Sequence, residues 1–562
     1  MRNAFRSIIL HTDYVIYYLY CSPRATWLST KMGELRMGVG DRAITFLLLV
    51  GAGFIVLPLK ISVLYTVFCL TVALWLLHNE KSYFNKHGIP SPKGELILGH
   101  SRMMFKSLAT FDIDTLKQLG TNYFGAFMLN KKEYTSADLD FVKAVCVKEF
   151  SHFQNRAFIG SANTKVGKKS IMRNIVSIKT GEDWKRVRNR VTPTFTTGKI
   201  KKLIPTFNEC AKKGFGVVEE HIKQGKELDL KVLMSQIGMD VIGRGGFSMD
   251  LDVYSPEESI WLINARKSFS GFLTSWKTLF VVFCPLVALK IEQLFGVDML
   301  SNDAQIFFEK FVLDLYDKRK AEPSAKEEID HGNKPQEDSD IIHNELLTGD
   351  RKKFLTKAEL VSQSFLLLIA GYETTATVLQ FILYILALHH DVQDKLRMEL
   401  EEAVGDEEEI TFDHMQKFTY MNQVIQEALR LYNPAPRINR ECNDPITLNG
   451  LHIDDGDTVN IPVAAIHHNP EYYPDPYKFD PDRFTEEEKA KRDPRVYLPF
   501  GIGPRNCLGM RFAEFQMRVV LGQLVKNFKF EKGENSPELP IKIVFNGVIR
   551  PEKTLFAKVN RC

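Results

Sequence analysis

Residues 500–509 read Phe500-Gly501-Ile502-Gly503-Pro504-Arg505-Asn506-Cys507-Leu508-Gly509. One cysteine stands among glycines, a proline and an arginine, with no second cysteine at metal-ligand spacing. Zinc sites and iron–sulfur clusters need several thiolates, so both are excluded here. A single thiolate suffices as the axial ligand of a haem iron. The neighbours suit that role. Gly503 and Gly509 leave room for backbone N–H groups near the sulfur, favouring thiolate over thiol. Arg505 is a candidate partner for a haem propionate. Phe500 is placed to shield the sulfur. The competing reading is a buried structural cysteine in a Gly/Pro turn.

This stretch resembles the haem-binding signature of the cytochrome P450 family, with Phe500, Gly503, Arg505, Cys507 and Gly509 at its fixed positions. The resemblance runs from about residue 80 to 560. It implies the family's mainly α fold with a small β region, haem b (iron protoporphyrin IX) held by Cys507, and NADPH electrons delivered through a partner reductase. The nearest group it suggests is the animal family-3 microsomal enzymes, which oxidise drugs and steroids. That likeness is carried by Gly181-Glu182-Asp183-Trp184-Lys185-Arg186 running into Thr192-Pro193-Thr194-Phe195-Thr196, and by Leu498-Pro499-Phe500-Gly501 through Met510-Arg511-Phe512-Ala513.

The chain has 562 residues, 44% hydrophobic and 25% charged, which is enough for a large core. Its net charge of +4 is too mild to argue for a nucleic-acid partner. Eight cysteines without regular pairing suggest reduced thiols and a catalytic domain facing the cytosol. Residues 43–59 and 61–77 are almost wholly apolar, split by Pro58 and Lys60. Each makes a helix of about 25 Å, so the pair is either a hairpin or one span with an interfacial partner. Arg24, Lys31, Arg36 and Arg42 before, and Lys81, Lys86 and Lys93 after, favour both ends in the cytosol. The expected division is an extension (1–42), a membrane anchor (43–77), a Pro-rich hinge (78–94) and a haem-thiolate domain (95–562). The endoplasmic reticulum membrane is the expected location, with a mitochondrial membrane the weaker alternative.

Past the hinge, helical periodicity dominates. The clearest strand signal is 446–463, where Asn449-Gly450 marks a hairpin turn. Residues 319–345 read as a charged surface loop.

Residues 357–388 read as one long apolar helix carrying Ala370-Gly371-Tyr372-Glu373-Thr374-Thr375. Gly and Thr are poor interior helix formers, so a kink with a satisfied hydroxyl is the plain reading. The resemblance makes it the oxygen-activating helix instead. Gly371 would let it bulge beside the haem, Thr374 would hydrogen-bond the bound oxygen species, and Glu373 would relay protons. Glu427 and Arg430 share one helical face. By resemblance, Arg483 in Asp480-Pro481-Asp482-Arg483-Phe484 joins them in a buried network, although Asp482 replaces the family's glutamate. Trp184 and Arg188, one turn apart, are further propionate candidates, as is Arg437 by likeness to one branch. Lys185, Arg186 and Arg190 form a basic face for an acidic electron donor, or a merely solvated one. The stripe Phe269, Phe272, Leu273, Trp276, Leu279, Phe280 and Phe283 is either core or a membrane-dipping roof over the substrate pocket. Specificity is expected near 155–175, in 265–285 and at Val548 and Ile549.

Three functions fit to different degrees. The first is a monooxygenase acting on a small lipophilic substrate (xenobiotic, steroid or fatty-acid-like), with NADPH–cytochrome P450 reductase as partner and cytochrome b5 as a further donor. The second is a peroxide-rearranging isomerase, against which Thr374 argues. The third is a non-catalytic haem- or lipid-binding membrane protein, against which Glu373, Thr374 and Cys507 together argue.

Overall fold

A computed structural model describes residues 38–56, 58–157, 167–255, 258–321 and 355–562 of the chain. The N-terminal apolar runs form helices α1 (Val39–Val56) and α2 (Leu59–Lys81). Pro58 lies between them and lacks the N–H that would continue a helix. The two run antiparallel, because Arg42 at the start of α1 pairs with Glu80 at the end of α2. Leu48 and Leu64 are 68% and 70% exposed, so these apolar surfaces have little protein cover. Among the described helices, Ile61–Lys81 and Lys357–Leu388 are long and apolar enough to cross a membrane, and the second is largely buried within the protein.

The segment after α2 is fastened to the first sheet. That sheet begins with β1 (Tyr123–Met128) and β2 (Lys131–Ser136), an antiparallel pair. Phe84 is buried against β1, where a Cβ on Gly125 would strike its ring. Gly125 donates its N–H to the Pro90 carbonyl, and the Lys81 ammonium bonds the Leu129 carbonyl. The expected hinge is therefore packed on β1 and β2.

The helices that matter for the cavity are α3 (Ile171–Asn174), α4 (Gly181–Val191), α5 (Leu230–Phe247), α6 (Trp276–Phe283), α7 (Pro285–Phe295), α8 (Lys357–Leu388), α9 (Tyr420–Leu431) and α10 (Met510–Asn527). α8 starts at a capping box in which Thr356 and Glu359 satisfy each other's backbone N–H. It then runs unbroken to Leu388. The bulge expected at Gly371 is absent. A Cβ there would lie 2.5 Å from Ile242 of α5, so the glycine serves the close crossing of the two helices. Gly238 of α5 abuts the Tyr372 backbone at the same crossing.

β3 (Ile438–Glu441) and β6 (Thr458–Ile461) complete the first sheet in the order β1-β2-β6-β3, with β2 and β6 parallel. Between them, β4 (Ile446–Leu448) and β5 (Leu451–Ile453) pair across Asn449-Gly450, both at positive φ as a tight hairpin demands. β7 (Ile543–Asn546) and β8 (Val548–Pro551) form a second hairpin. The mainly helical architecture with a small β region follows the expectation. The polar run 319–345 lies outside the described residues beyond Ala321, as do residues 158–166 of the expected specificity loop.

Candidate active site

The loop 500–509 is folded on itself by two backbone bonds, Cys507 N–H to the Phe500 carbonyl (2.9 Å) and Asn506 N–H to the Gly503 carbonyl (3.0 Å). Gly503 has φ +77, and a Cβ on it would come within 2.0 Å of the Cys146 carbonyl. Its need for glycine thus lies in the backbone and in Cys146, and not in the expected approach to the sulfur. Gly509, the residue before α10, is the glycine whose N–H acts on the sulfur, favouring its charged form. Burial pushes the Cys507 thiol up, while the Gly509 N–H and the charges of Arg156 and Arg188 oppose that shift. The seven described cysteines are all free.

Cys507 faces a cavity of about 490 Å³. Ala370, Gly371, Thr374 and Thr375 of α8 line the same cavity, as does Phe500. Thr374 donates its hydroxyl hydrogen to the Ala370 carbonyl at 2.7 Å, the satisfied-hydroxyl arrangement. Glu373 does not line the cavity. It is buried on another side of α8, where Lys231 of α5 and Arg550 of β8 each reach it at 3.1 Å. The alcohol and the acid, adjacent in sequence, thus face different surroundings.

Four guanidinium groups crowd one end of the cavity: Arg156, Arg188, Arg440 and Arg505. Among the described residues no carboxylate pairs with any of them. Burial, reinforced by Arg440, brings Arg156 down to about 10. Burial, then Arg156, Arg440 and Arg188, bring Arg505 down to about 8. Arg440 is 1% exposed and its Nε has no partner. Arg188 reaches the thiolate loop, donating to the Asn506 carbonyl (2.9 Å) and side chain (2.8 Å). Arg505 donates to the carbonyls of Gln154, Val176, Ser177 and Lys179, and lies 4.3 Å over the Trp184 ring. Arg437 turns instead to Asp112 and Glu133, with both of which it forms ion pairs, although its stem lines the cavity.

Behind the loop, Glu427 and Arg430 of α9 form a bidentate pair at 2.7 Å, fully buried. Arg483 Nε lies 3.5 Å from Glu427, closing the three-residue network. Arg430 also donates to the carbonyls of His467 and Pro476. On α4, Lys185 is exposed, and Arg186, its side chain 39% exposed, pairs with the buried Glu359 of α8.

A family model for cytochrome P450 matches residues 92–559. The chain belongs to the cytochrome P450 family. It is 34% identical to cytochrome P450 3A11 of Mus musculus over 495 residues, covering 87% of this chain and 95% of that one. It is 33% identical to cytochrome P450 3A2 of Rattus norvegicus (87% and 95% covered) and 34% identical to cytochrome P450 3A6 of Oryctolagus cuniculus (85% and 92%). Among P450s it thus groups with animal family 3, and it is a P450 monooxygenase with haem on a cysteine thiolate.

The residues present fit that haem. A P450 haem brings two carboxylates and takes one thiolate. The cavity offers a lone thiol and a cluster of buried and half-buried guanidiniums that lack counter-charges among the described residues, Arg440 with an orphaned N–H. Unpaired buried cations are costly, so this cluster is built for an anion. Among the described residues no group of three or more His, Cys, Asp or Glu is placed to hold a metal. Arg156 and Arg440 carry no signal in the sequence. They meet because Glu441 donates its N–H to the Asn155 carbonyl, an isolated bridge that sets the two arginines side by side.

Proposed function

We propose that this P450 is a microsomal monooxygenase that places one oxygen atom from O2 into a lipophilic substrate, using NADPH electrons relayed by NADPH–cytochrome P450 reductase, with cytochrome b5 as a further donor. The observation that carries the reading is that Cys507, Thr374 and four arginines without carboxylate partners among the described residues line one cavity. The haem, when bound, supplies the oxygen activation. Arg156, Arg188 and Arg440 would hold its propionates, with Arg505 stacked on Trp184 fixing the loop beside them. Arg437, already paired with Asp112 and Glu133, would border the same end of the haem without being its main counter-charge. The Gly509 N–H and the charges of Arg156 and Arg188 would favour the thiolate of Cys507 against the burial that raises it, and Phe500 would flank the ligated sulfur. Thr374 holds a proton at the cavity wall. Glu373, the acid nearest in sequence to it, is held off the cavity between Lys231 and Arg550, and would act on it only through intervening water. The apolar wall of α8 selects a lipophilic substrate, and the α1–α2 pair seats the domain on the endoplasmic reticulum membrane.

The test is the difference spectrum of reduced, carbon monoxide-bound protein beside Cys507→Ser, followed by O2 uptake with reductase and a panel of steroids and fatty acids. The expected result is a strongly red-shifted Soret band that vanishes in the variant, and O2 uptake that needs NADPH. A band typical of histidine-ligated haem would remove the reading. Turnover of a peroxide without NADPH would replace it with the isomerase.

A further inference from the structure

Asp41 is the third residue of α1 and is 3% exposed. Among the described residues it has no cationic partner. Its carboxylate accepts three backbone N–H groups: Gly38 at 2.9 Å, and Leu286 and Val287 at 3.0 Å each. Leu286 and Val287 are the first N–H donors of α7, since Pro285 has none, and such groups find no partner within their own helix. α7 lacks a cap of its own, because Cys284 before it makes no side-chain bond. Asp41 therefore caps α7 from 245 positions away, at the positive end of the helix dipole.

The seat is cut to fit. A Cβ on Gly38 would come within 2.3 Å of Pro285, and one on Gly40 within 2.1 Å of the Cys284 sulfur. Neither glycine has positive φ. Close contact with the elbow between α6 and α7 is the requirement they meet here. The elbow itself turns by 116°.

Farther along α7, Glu292 is 1% exposed and grips Arg173 of α3 with both oxygens, at 2.8 and 2.5 Å. Three residues on, Val176 lines the large cavity and gives its carbonyl to Arg505. The opposite side of α7 exposes Leu294 and Phe295 at 78% and 73%. An unbroken line of contacts thus joins the N-terminal helix pair to the cavity wall through one short helix.

We propose that α1 is a clasp on this wall. Asp41 and the Gly38–Gly40 seat hold the α6–α7 elbow closed against α3, and the Asp41 contact sets how often the cavity opens to a lipophilic ligand. The N-terminal pair is then part of the gate as well as an anchor. The ligand-entry half rests on the monooxygenase reading, and the clasp itself does not.

The full chain in phospholipid nanodiscs is examined by hydrogen exchange as wild type, Asp41→Ala, Gly40→Leu and Asp41→Asn. The same preparations, loaded with haem, are mixed with 4-phenylimidazole and followed at the Soret band. In Asp41→Ala and Gly40→Leu, exchange in 285–295 rises roughly tenfold and spreads to 171–178. Association and dissociation rates of 4-phenylimidazole rise together, by roughly threefold or more, with little change in Kd. Asp41→Asn, which keeps one acceptor oxygen, falls between. Wild-type exchange in folded variants overturns the clasp. Faster exchange with unchanged ligand rates overturns the gating. Loss of the carbon monoxide spectrum in wild type would instead count against the haem reading, leaving the exchange result to decide the clasp.

Discussion

Gly503 lies four residues before Cys507 and Gly509 two after it, and their surroundings differ. Gly503 sits in the left-handed region with its missing Cβ pointing at the Cys146 carbonyl; Gly509 has φ −86 and nothing nearer than 4.0 Å. Gly503→Ala is expected to cost about 3 kcal/mol, strain and clash combined, and Gly509→Ala under about 1 kcal/mol. Urea unfolding of both variants measures the gap. His467 gives a second prediction. Its Nδ1 faces the Arg430 carbonyl at 3.1 Å and its Nε2 accepts the Leu498 N–H at 2.9 Å, which fixes a neutral ring with the proton on Nδ1. Burial, then the charges of His468 and Arg430, hold it at about 3. Below the ordinary value of 6.5 the unfolded chain takes up a proton that the folded one refuses, so stability falls with pH at about 1.4 kcal/mol per unit. Between about pH 6.5 and pH 5, His467 should account for about 2 kcal/mol of lost stability, and His467→Gln should lack that share of the slope. Urea midpoints across that range decide it. The loop motif is legible in the amino-acid order because its residues are contiguous. Arg156 and Arg440 are not, because a single arginine carries no spacing signal, and only the Asn155–Glu441 bridge brings these two together.

Elements are legible where their pattern is local. The apolar run after Thr356 carries its own cap, and Asn449-Gly450 its own turn. What escapes the pattern is direction: Glu373 stands beside Thr374 but points to Lys231 and Arg550, and Arg186, though still at the surface, pairs with the buried Glu359 of α8. Likewise α1 begins at Val39, ahead of the apolar run, because Asp41 answers to a helix far away in the chain. The Glu427–Arg430–Arg483 network ties α9 to the segment before the thiolate loop. Glu427→Ala would leave two arginines without their carboxylate, one fully buried, at a cost of about 3–5 kcal/mol. The expected outcome is little soluble haem-loaded protein and a lowered unfolding midpoint, whereas Glu427→Ala unfolding at the wild-type midpoint would show the network to be dispensable.

At the scale of the molecule, apolar side chains are exposed on two neighbouring parts, the helix pair α1–α2 and the elbow residues Trp276, Leu294 and Phe295. Removing residues 1–80 should therefore weaken binding to phospholipid vesicles without abolishing it, as read by flotation. Complete release would mean that the elbow does not touch lipid.

α8 has one more consequence, in how the chain is made. By composition it would pass for a membrane span, and at 32 residues it is about 48 Å long. A nascent chain offering such a segment beside a membrane invites insertion. Its close-fitting partner α5, with Gly238 and Ile242 shaped to the Gly371–Tyr372 surface, is synthesised more than a hundred residues earlier. The order of synthesis thus has a cover for α8 waiting when that helix emerges, and the glycine at the crossing lets the two close before lipid can compete.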